Sequence, residues 1–143
     1  MPRRILVPVD GSPKSLKGLE YAVTTYPEDR ITVLSVMTPH GAWDEGDGPL
    51  PRAQFENWYG EAREETDDVL EEARELASGH DKEITTAVDV GEPWRAIVEY
   101  AERNDVDHIV MGSHGRDDDS PLPLGSVAET VVRRSPVLVS IVR

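Results

Sequence analysis

Three glycines in the last third of the chain have the spacing G-x2-G-x9-G, and a serine follows the third: Gly112, Gly115, Gly125 and Ser126. An apolar run, His108–Met111, precedes them, and a helical pattern begins at Val127. Glycines let a backbone turn sharply and approach a ligand closely, and free N–H groups at a helix start attract an anion. The stretch is a candidate phosphate-binding loop. The alternative is a surface loop that only links a strand to a helix, because short glycine motifs occur by chance.

The spacing of apolar residues predicts the elements that position this loop. We predict five strands, at Ile5–Val9, Ile31–Met37, Ile84–Val90, His108–Met111 and Val137–Val142. Between them we predict four helices: one after the N-cap Ser12, one over Gln54–Ala77, one that begins at Pro93, and one that begins with a capping box, Ser126 and Glu129. Such alternation is typical of a parallel sheet covered by helices on both faces. The fold class is therefore α/β: a three-layer, doubly wound single domain over residues 1–143, with a mobile loop at 38–53.

Polar or flexible features follow three of the predicted strands. Asp10 follows the first strand, Val36 and Met37 end the second, and the Gly112 loop follows the fourth. In a doubly wound sheet, ligands bind beyond the carboxyl ends of the strands, near the point where the strand order reverses. We therefore expect these three features to share one cleft, which favours the phosphate-binding interpretation over a plain linker.

Composition excludes several classes of protein. The 143 residues are 38% hydrophobic and contain no cysteine, which excludes disulfides, thiol catalysis and cysteine-ligated zinc. No apolar run approaches the length of a membrane span, and the run that ends at Val9 is too short for a secretory signal. A net charge of −13 argues against a nucleic-acid binder, because phosphates need a basic surface. We expect a cytoplasmic protein that binds neither membrane nor nucleic acid.

The acidic surface also suggests the solvent in which the chain works. There are 28 acidic residues against 15 basic ones, and only Lys14, Lys17 and Lys82 are lysines. Such a surface stays hydrated at high salt, whereas at low salt the carboxylates repel one another. We favour a halophilic source, and the alternative is an ordinary acidic bacterial protein.

Several segments together resemble the universal stress protein family. They are the opening ILVPVDGS, the segment GEPWRAIVEYA, the loop start MGSHGR and the stretch LGSVAETVVRRSPV, so the resemblance runs from Ile5 to Val142. The resemblance implies an adenine-nucleotide α-hydrolase-like fold with strand order 3-2-1-4-5 and a tendency to dimerise. Family members that keep the whole glycine signature generally bind ATP, and this chain keeps it.

The resemblance also implies roles for residues at matching positions. Pro8, Val9 and Asp10 would lie beside the adenosine, and the backbone of Val36 would meet the adenine edge. Met111 and Gly112 would pass close to the ribose. The phosphates would be bound by Ser113, His114, Gly115, Arg116, Gly125, Ser126 and Val127, mostly through backbone N–H groups. From the residues alone, His114 could equally face water.

Three acids inside the loop depart from the family pattern. Asp117, Asp118 and Asp119 stand where relatives usually carry small, apolar or basic residues. They could help to place Mg2+ or Mn2+ on the phosphates, since these ions prefer oxygen ligands. They could instead belong to the solvated acidic surface, which is the reading that we favour.

Three functional hypotheses follow. The first is a stress-response module that binds ATP, or AMP or ADP, and changes its protein partners with nucleotide state. The second is a slow ATPase or autokinase, although no general base is identified. The third is a structural dimer with AMP or an empty site. In each case the apolar edge strand at 137–142 predicts a homodimer.

Overall fold

The computed structural model describes residues 2–39, 51–115 and 124–143. The strands in these ranges are β1 (Arg4–Pro8), β2 (Arg30–Met37), β3 (Thr85–Val90), β4 (His108–Gly112) and β5 (Leu138–Val142). The helices are α1 (Pro13–Thr25), α2 (Arg52–Gly79), α3 (Pro93–Arg103) and α4 (Ser126–Arg134). The predicted alternation is confirmed, and each strand boundary lies within one residue of its predicted place.

The five strands form one parallel sheet in the order β3-β2-β1-β4-β5, as expected. β1 lies at its centre and pairs Val7 with Val33 of β2 and Ile5 with His108 of β4. Pro8 is the last residue of β1. Proline has no backbone N–H to donate between strands, and the end of a strand tolerates this better than its middle. The order reverses between β1 and β4, so the sheet opens there at its carboxyl edge.

Alternate residues of the central strands enter two separate cores. Val7 and Val33 pack with Leu19 of α1 and Ala73 of α2 on one face. On the other face, a second core contains residues of β1, β2, α3 and α4, namely Leu6, Leu34, Ile97 and Val131. Because side chains alternate along a strand, a continuous apolar run such as β1 supplies both cores at once. This explains why no polar residue interrupts Ile5–Val7.

The predicted loop at 38–53 is shorter at its carboxyl end than expected. Arg52 and Ala53 already belong to α2, and Pro51 precedes that helix as its N-cap with φ −53°. Proline fixes φ near the helical value, which favours a helix start at this point. At the other end, the Thr38 hydroxyl donates to the carbonyl oxygen of Gly91 at 3.0 Å. The rest of the predicted loop, 40–50, lies outside the described residues.

Two parts of the surface differ in character: α2 exposes many acidic residues, and the region of β5 exposes large apolar side chains. α2 is 28 residues long, and its acidic residues are exposed. Leu138 of β5 is 61% exposed, and Val132 of α4 is 46% exposed. None of the helices in the described ranges is both long and apolar enough to cross a membrane.

Candidate functional site

A cleft of about 1000 Å³ opens beyond the carboxyl ends of β1, β2 and β4. One face of α2 and the starts of α3 and α4 complete its walls. Most of the residues that the sequence assigns to the site line this single cleft: Pro8, Val9, Asp10, Val36, Met111, Gly112, His114, Gly115, Gly125, Ser126 and Val127. The three polar or flexible features therefore do converge, as expected for this fold.

Asp10 lines the cleft from a turn that fixes its carboxylate. Its Oδ1 accepts the backbone N–H of Ser12 at 2.9 Å, and its own N–H donates to Ser15 Oγ at 3.3 Å. Gly11 between them has φ +85°, a conformation that glycine adopts without strain. Ser12 caps α1 as predicted, because its Oγ accepts the Ser15 N–H at 3.2 Å. The carboxylate therefore accepts a local hydrogen bond before any ligand binds.

The backbone of Val36 points towards the open part of the cleft. The carbonyl of Leu34 accepts the N–H of Val9 at 2.9 Å, whereas that of Met37 accepts the N–H of Gly91 at 3.0 Å. Backbone groups in a parallel strand alternate between its two neighbours, so those of Val36 share the side of Leu34. The ladder between β1 and β2 ends at the Pro8–Leu34 pair. Val36 thus turns its peptide groups towards a space beyond the end of β1.

Gly112 is a glycine because α1 packs directly against it. A Cβ at this position would lie 2.6 Å from the carbonyl carbon of Lys14 and 3.0 Å from the nitrogen of Ser15. Gly18 faces the same point, and a Cβ there would stand 3.1 Å from the nitrogen of Gly112. The first glycine of the motif therefore permits close helix–strand packing, and the floor of the cleft depends on that packing.

The two ends of the glycine loop are joined to each other. The N–H of Gly125 donates to the carbonyl of Ser113 at 2.7 Å, and the N–H of Ser113 donates to the carbonyl of Val142 at 3.0 Å. Ser113 is fully buried and does not line the cleft, unlike its predicted neighbours in the loop. Its backbone N–H already has a protein partner, so in this arrangement Ser113 anchors the loop to β5.

The predicted capping box at the start of α4 is wrong. Gly125, with φ −73° and ψ 167°, is the N-cap, and Ser126 is the first residue of the helix. Gly125 is held extended by its bond to Ser113, and its own carbonyl accepts the Glu129 N–H at 2.9 Å. The Glu129 side chain pairs with Arg133 at 2.7 Å and does not cap the helix. Gly125 has no side chain with which to cap α4, and Gly125, Ser126 and Val127 at the helix start line the cleft.

Charged groups around the cleft are unevenly distributed. Among the described lining residues there are three carboxylates, Asp10, Glu65 and Glu129, but no lysine or arginine. His114 is half-buried, with Nδ1 3.0 Å from Ser113 Oγ and 3.4 Å from the Lys14 ammonium. His114 therefore lines the cleft and brings a cation to its rim.

Four predicted residues cannot be placed. Arg116 and the acids Asp117, Asp118 and Asp119 lie outside the described residues. Among the described residues, no group of three or more histidine, aspartate and glutamate side chains is arranged to hold a metal ion.

The wall formed by α2 was missed by sequence reasoning. Trp58, Ala62, Thr66 and Val69 line the cleft from this helix. Trp58 is half-buried at the cleft. These residues are spaced by three and four, so the sequence places them on one face of the helix. The threonine within this otherwise apolar face could have indicated that it lines a site.

The fold and cleft define a doubly wound α/β protein with a ligand site at the switch point of its sheet. The family model for the universal stress protein family matches residues 1–143. The chain belongs to the universal stress protein family.

Known relatives agree with this assignment. Universal stress protein MJ0531 of Methanocaldococcus jannaschii is 32% identical over 96% of this chain and 81% of its own length. Universal stress protein YxiE of Bacillus subtilis is 31% identical over 98% of each chain.

Solved structures share the fold over almost the whole chain. Protein MJ0577 of Methanocaldococcus jannaschii superimposes with a TM-score of 0.82 at 27% identity, over 99% of this chain and 96% of that one. A universal stress protein crystallised in complex with cAMP has a TM-score of 0.71 at 26% identity, over 99% of this chain and 97% of that one.

Proposed function

We propose that the cleft binds ATP, with its phosphates at the start of α4 and its base towards the end of β2. The observation that carries the proposal is the convergence of Asp10, Val36 and the glycine stretch on one cleft. A related universal stress protein crystallised with cAMP supports an adenine nucleotide as the ligand.

The start of α4 supports the position of the phosphates. Its N-cap, Gly125, has no side chain to cap the first turn, and Gly125 and Ser126 both line the cleft. The N–H groups at a helix start and the positive end of the helix dipole favour an anion at this point. At Gly115 a phosphate meets no Cβ, so it can approach the backbone closely.

The carboxylates support a requirement for a divalent cation. Asp10, Glu65 and Glu129 line the cleft, and a triphosphate brings further negative charge into it. Mg2+ or Mn2+ bound to the phosphates reduces that repulsion, because the ion is the largest positive charge near them. We expect EDTA at low salt to weaken ATP binding, and an ATP affinity that EDTA leaves unchanged contradicts this part of the proposal.

The biological role follows from membership of the family. We propose a cytoplasmic module for the stress response, in which ATP binding changes the surface that protein partners meet. The His114 imidazole lies 3.0 Å from Ser113 Oγ, but Ser113 is buried and does not line the cleft, so we favour binding over catalysis.

The test begins with purified protein. Nucleotide released by denaturation is identified by mass, and calorimetry measures the affinity of stripped protein for ATP, ADP and AMP with and without Mg2+. Micromolar or tighter binding of ATP supports the proposal, and no binding of any adenine nucleotide refutes it. Steady production of ADP would show instead that the protein is a slow ATPase.

A further inference from the structure

A second groove lies between α3 and α4, apart from the cleft. It is open, has a volume of about 410 Å³, and is lined by Trp94, Arg95, Val98, Glu99, Glu102 and Arg134. None of these six residues lines the cleft, whereas Pro93 and Ile97, on a different face of α3, do. The groove is therefore a separate surface, which we call the α3–α4 groove.

Trp94 is restrained at one end of this groove. Its indole Nε1 donates to the Glu92 carboxylate, and the half-buried ring packs against the core that α3 and α4 share. Two guanidinium groups lie over the ring, with the Cζ of Arg95 5.3 Å and the Cζ of Arg134 4.9 Å from the ring centroid. One arginine from each helix thus meets the same indole.

The guanidinium groups of Arg95 and Arg134 form no ion pair within the described residues. The adjacent arginine of α4 does, because Arg133 pairs with Glu129 at 2.7 Å. Acidic residues outnumber basic ones in this chain by 28 to 15, yet these two arginines share an aromatic ring and not an acid. An anionic group from outside the chain can therefore use their charge.

Contact with the indole leaves both groups able to bind an acid. A guanidinium group that lies over a ring uses little of its hydrogen-bonding capacity there, because its N–H donors lie in its own plane. The planar fork of donors matches the two oxygens of a carboxylate. A side chain that the ring already restrains also loses less conformational freedom on binding. The Trp94 end of the groove is therefore suited to carboxylates.

The rest of the groove indicates where an acid binds and what kind of ligand carries it. Glu99 and Glu102 lie further along α3 and repel a carboxylate, so acidic groups belong at the Trp94 end. The groove is open and passes over the buried Val98, which suits an extended peptide, since small ligands prefer enclosed pockets. Tryptophan and arginine are also enriched among the residues that contribute most at protein interfaces.

We propose that the α3–α4 groove is a docking site for a carboxylate-bearing segment of another protein, which Arg95 and Arg134 bind from their positions over Trp94. Complementary charge at the Trp94 end and the open shape of the groove support this occupant. The inference adds a second site to the domain and does not depend on nucleotide binding in the cleft.

The fluorescence of Trp94 measures occupancy of the groove. Trp43→Phe combined with Trp58→Phe leaves Trp94 as the sole tryptophan, and this protein is the reference. The probe is a hexaglutamate peptide with blocked ends, and hexaglutamine is its uncharged counterpart. At an ionic strength of about 0.15 M, repulsion by distant carboxylates is screened, whereas contacts within the groove persist. Hexaglutamate should shift the Trp94 emission with a dissociation constant below about 1 mM, and hexaglutamine should leave it unchanged.

Neighbouring arginines of α4 separate docking from general attraction. Arg134→Gln should weaken hexaglutamate binding about tenfold, because a charge-assisted hydrogen bond is lost. Arg133→Gln removes the same charge one residue away, outside the groove, and should leave the affinity unchanged. Arg134→Lys keeps the charge without the planar fork and should weaken binding about threefold. Both arginines are exposed, so the variants should keep the fold, which their amide NMR spectra verify.

Three results overturn the proposal. Trp94 emission that hexaglutamate leaves unchanged, or an equal loss of affinity in Arg133→Gln and Arg134→Gln, shows that the groove does not dock acids. Tighter binding of an oligothymidylate than of hexaglutamate shows a site for nucleic-acid phosphates. If Arg134→Gln dissociates an oligomer in sedimentation experiments, the occupant is a second copy of this chain and not another protein. The affinity for ATP enters none of these outcomes, so the proposed function is tested separately.

Discussion

Asp10 and Gly115 meet across the cleft: a Cβ built on residue 115 would stand 2.9 Å from Asp10 Oδ2. One residue follows β1 and the other belongs to the loop after β4, so their contact joins two strands' ends at the point where the sheet order reverses. The glycine therefore leaves space for a carboxylate as well as for a ligand.

Substitution of Gly115 by alanine should impair binding much more than folding. The new Cβ displaces the Asp10 carboxylate, and we expect ATP affinity to fall at least about tenfold. Because Gly115 is exposed, the free energy of unfolding should change by less than about 1 kcal/mol. Calorimetry and urea denaturation measure the two effects. Gly60→Ala is the control, since a Cβ there meets nothing within 4 Å, and equal ATP affinity in both variants would contradict the contact.

Substitution of Gly112 by alanine should lower the stability of the fold. The Cβ would overlap the backbone of Lys14 and Ser15, which cannot move as a flexible side chain can. We expect a loss of about 1–3 kcal/mol in unfolding free energy. Gly60→Ala should instead stabilise α2 by about 0.5–1 kcal/mol. If Gly112→Ala unfolds at the same urea concentration as the unmodified protein, α1 does not pack on β4 as described.

His108 should make stability depend on pH. It is 2% exposed, and its Nε2 lies 2.8 Å from Ser140 Oγ. Its buried Nδ1 has no hydrogen-bond partner among the residues that the structure describes. Burial lowers the pKa of His108, and the nearby Arg3 lowers it further, although Asp29 opposes this. The folded chain therefore binds fewer protons than the unfolded chain, so the stability present at higher pH is lost as pH falls below about 6.5.

The variant His108→Phe tests this relationship. Phenylalanine keeps an aromatic ring against Tyr26, whose ring centroid lies 5.4 Å from that of His108, but it cannot be protonated. Between pH 8 and 5.5 the unmodified protein should lose more unfolding free energy than the variant, by up to about 1.4 kcal/mol per pH unit. The other histidines are present in both proteins, so their contributions cancel when the two changes in unfolding free energy are subtracted. Parallel curves would show that His108 is not kept neutral by its surroundings.

The net charge should make stability depend on salt. With 28 acidic and 15 basic residues, repulsion opposes the compact state at low ionic strength. Screening by molar KCl should raise Tm by roughly 4 °C for each kcal/mol gained. The gain should shrink near pH 4.6, the isoelectric point, where the repulsion is small. A Tm that does not rise with KCl at pH 7 would remove the support for a halophilic source.

The edge strand β5 should mediate the predicted homodimer. Leu138 is 61% exposed on that strand, and Val132 of the adjoining helix is 46% exposed. Leu138→Asp should convert a dimer to a monomer in sedimentation experiments, because it places a charge in an apolar contact. Thr85→Asp makes a comparable change on the other edge strand, β3, and should leave the dimer intact. A dimer that survives Leu138→Asp must use another surface.

Local pattern predicted the elements of this fold well. The run Ile5–Val9 and the spacing of apolar residues in the helices depend only on neighbours in the chain, and each strand appeared within one residue of its expected bounds. Asp10 and the glycine loop could be assigned to one cleft because the carboxyl ends of parallel strands share one edge.

By itself, then, the sequence determined the alternation of strands and helices and the edge of the sheet at which a ligand would bind. Only the tertiary structure decided that Gly125 and not Ser126 caps α4, since that depends on a hydrogen bond to Ser113. It also decided that Gly112 accommodates α1 and that Trp58 and Thr66 face the cleft. These features depend on how far a helix is rotated and shifted against the sheet, and contacts between distant parts of the chain set that position.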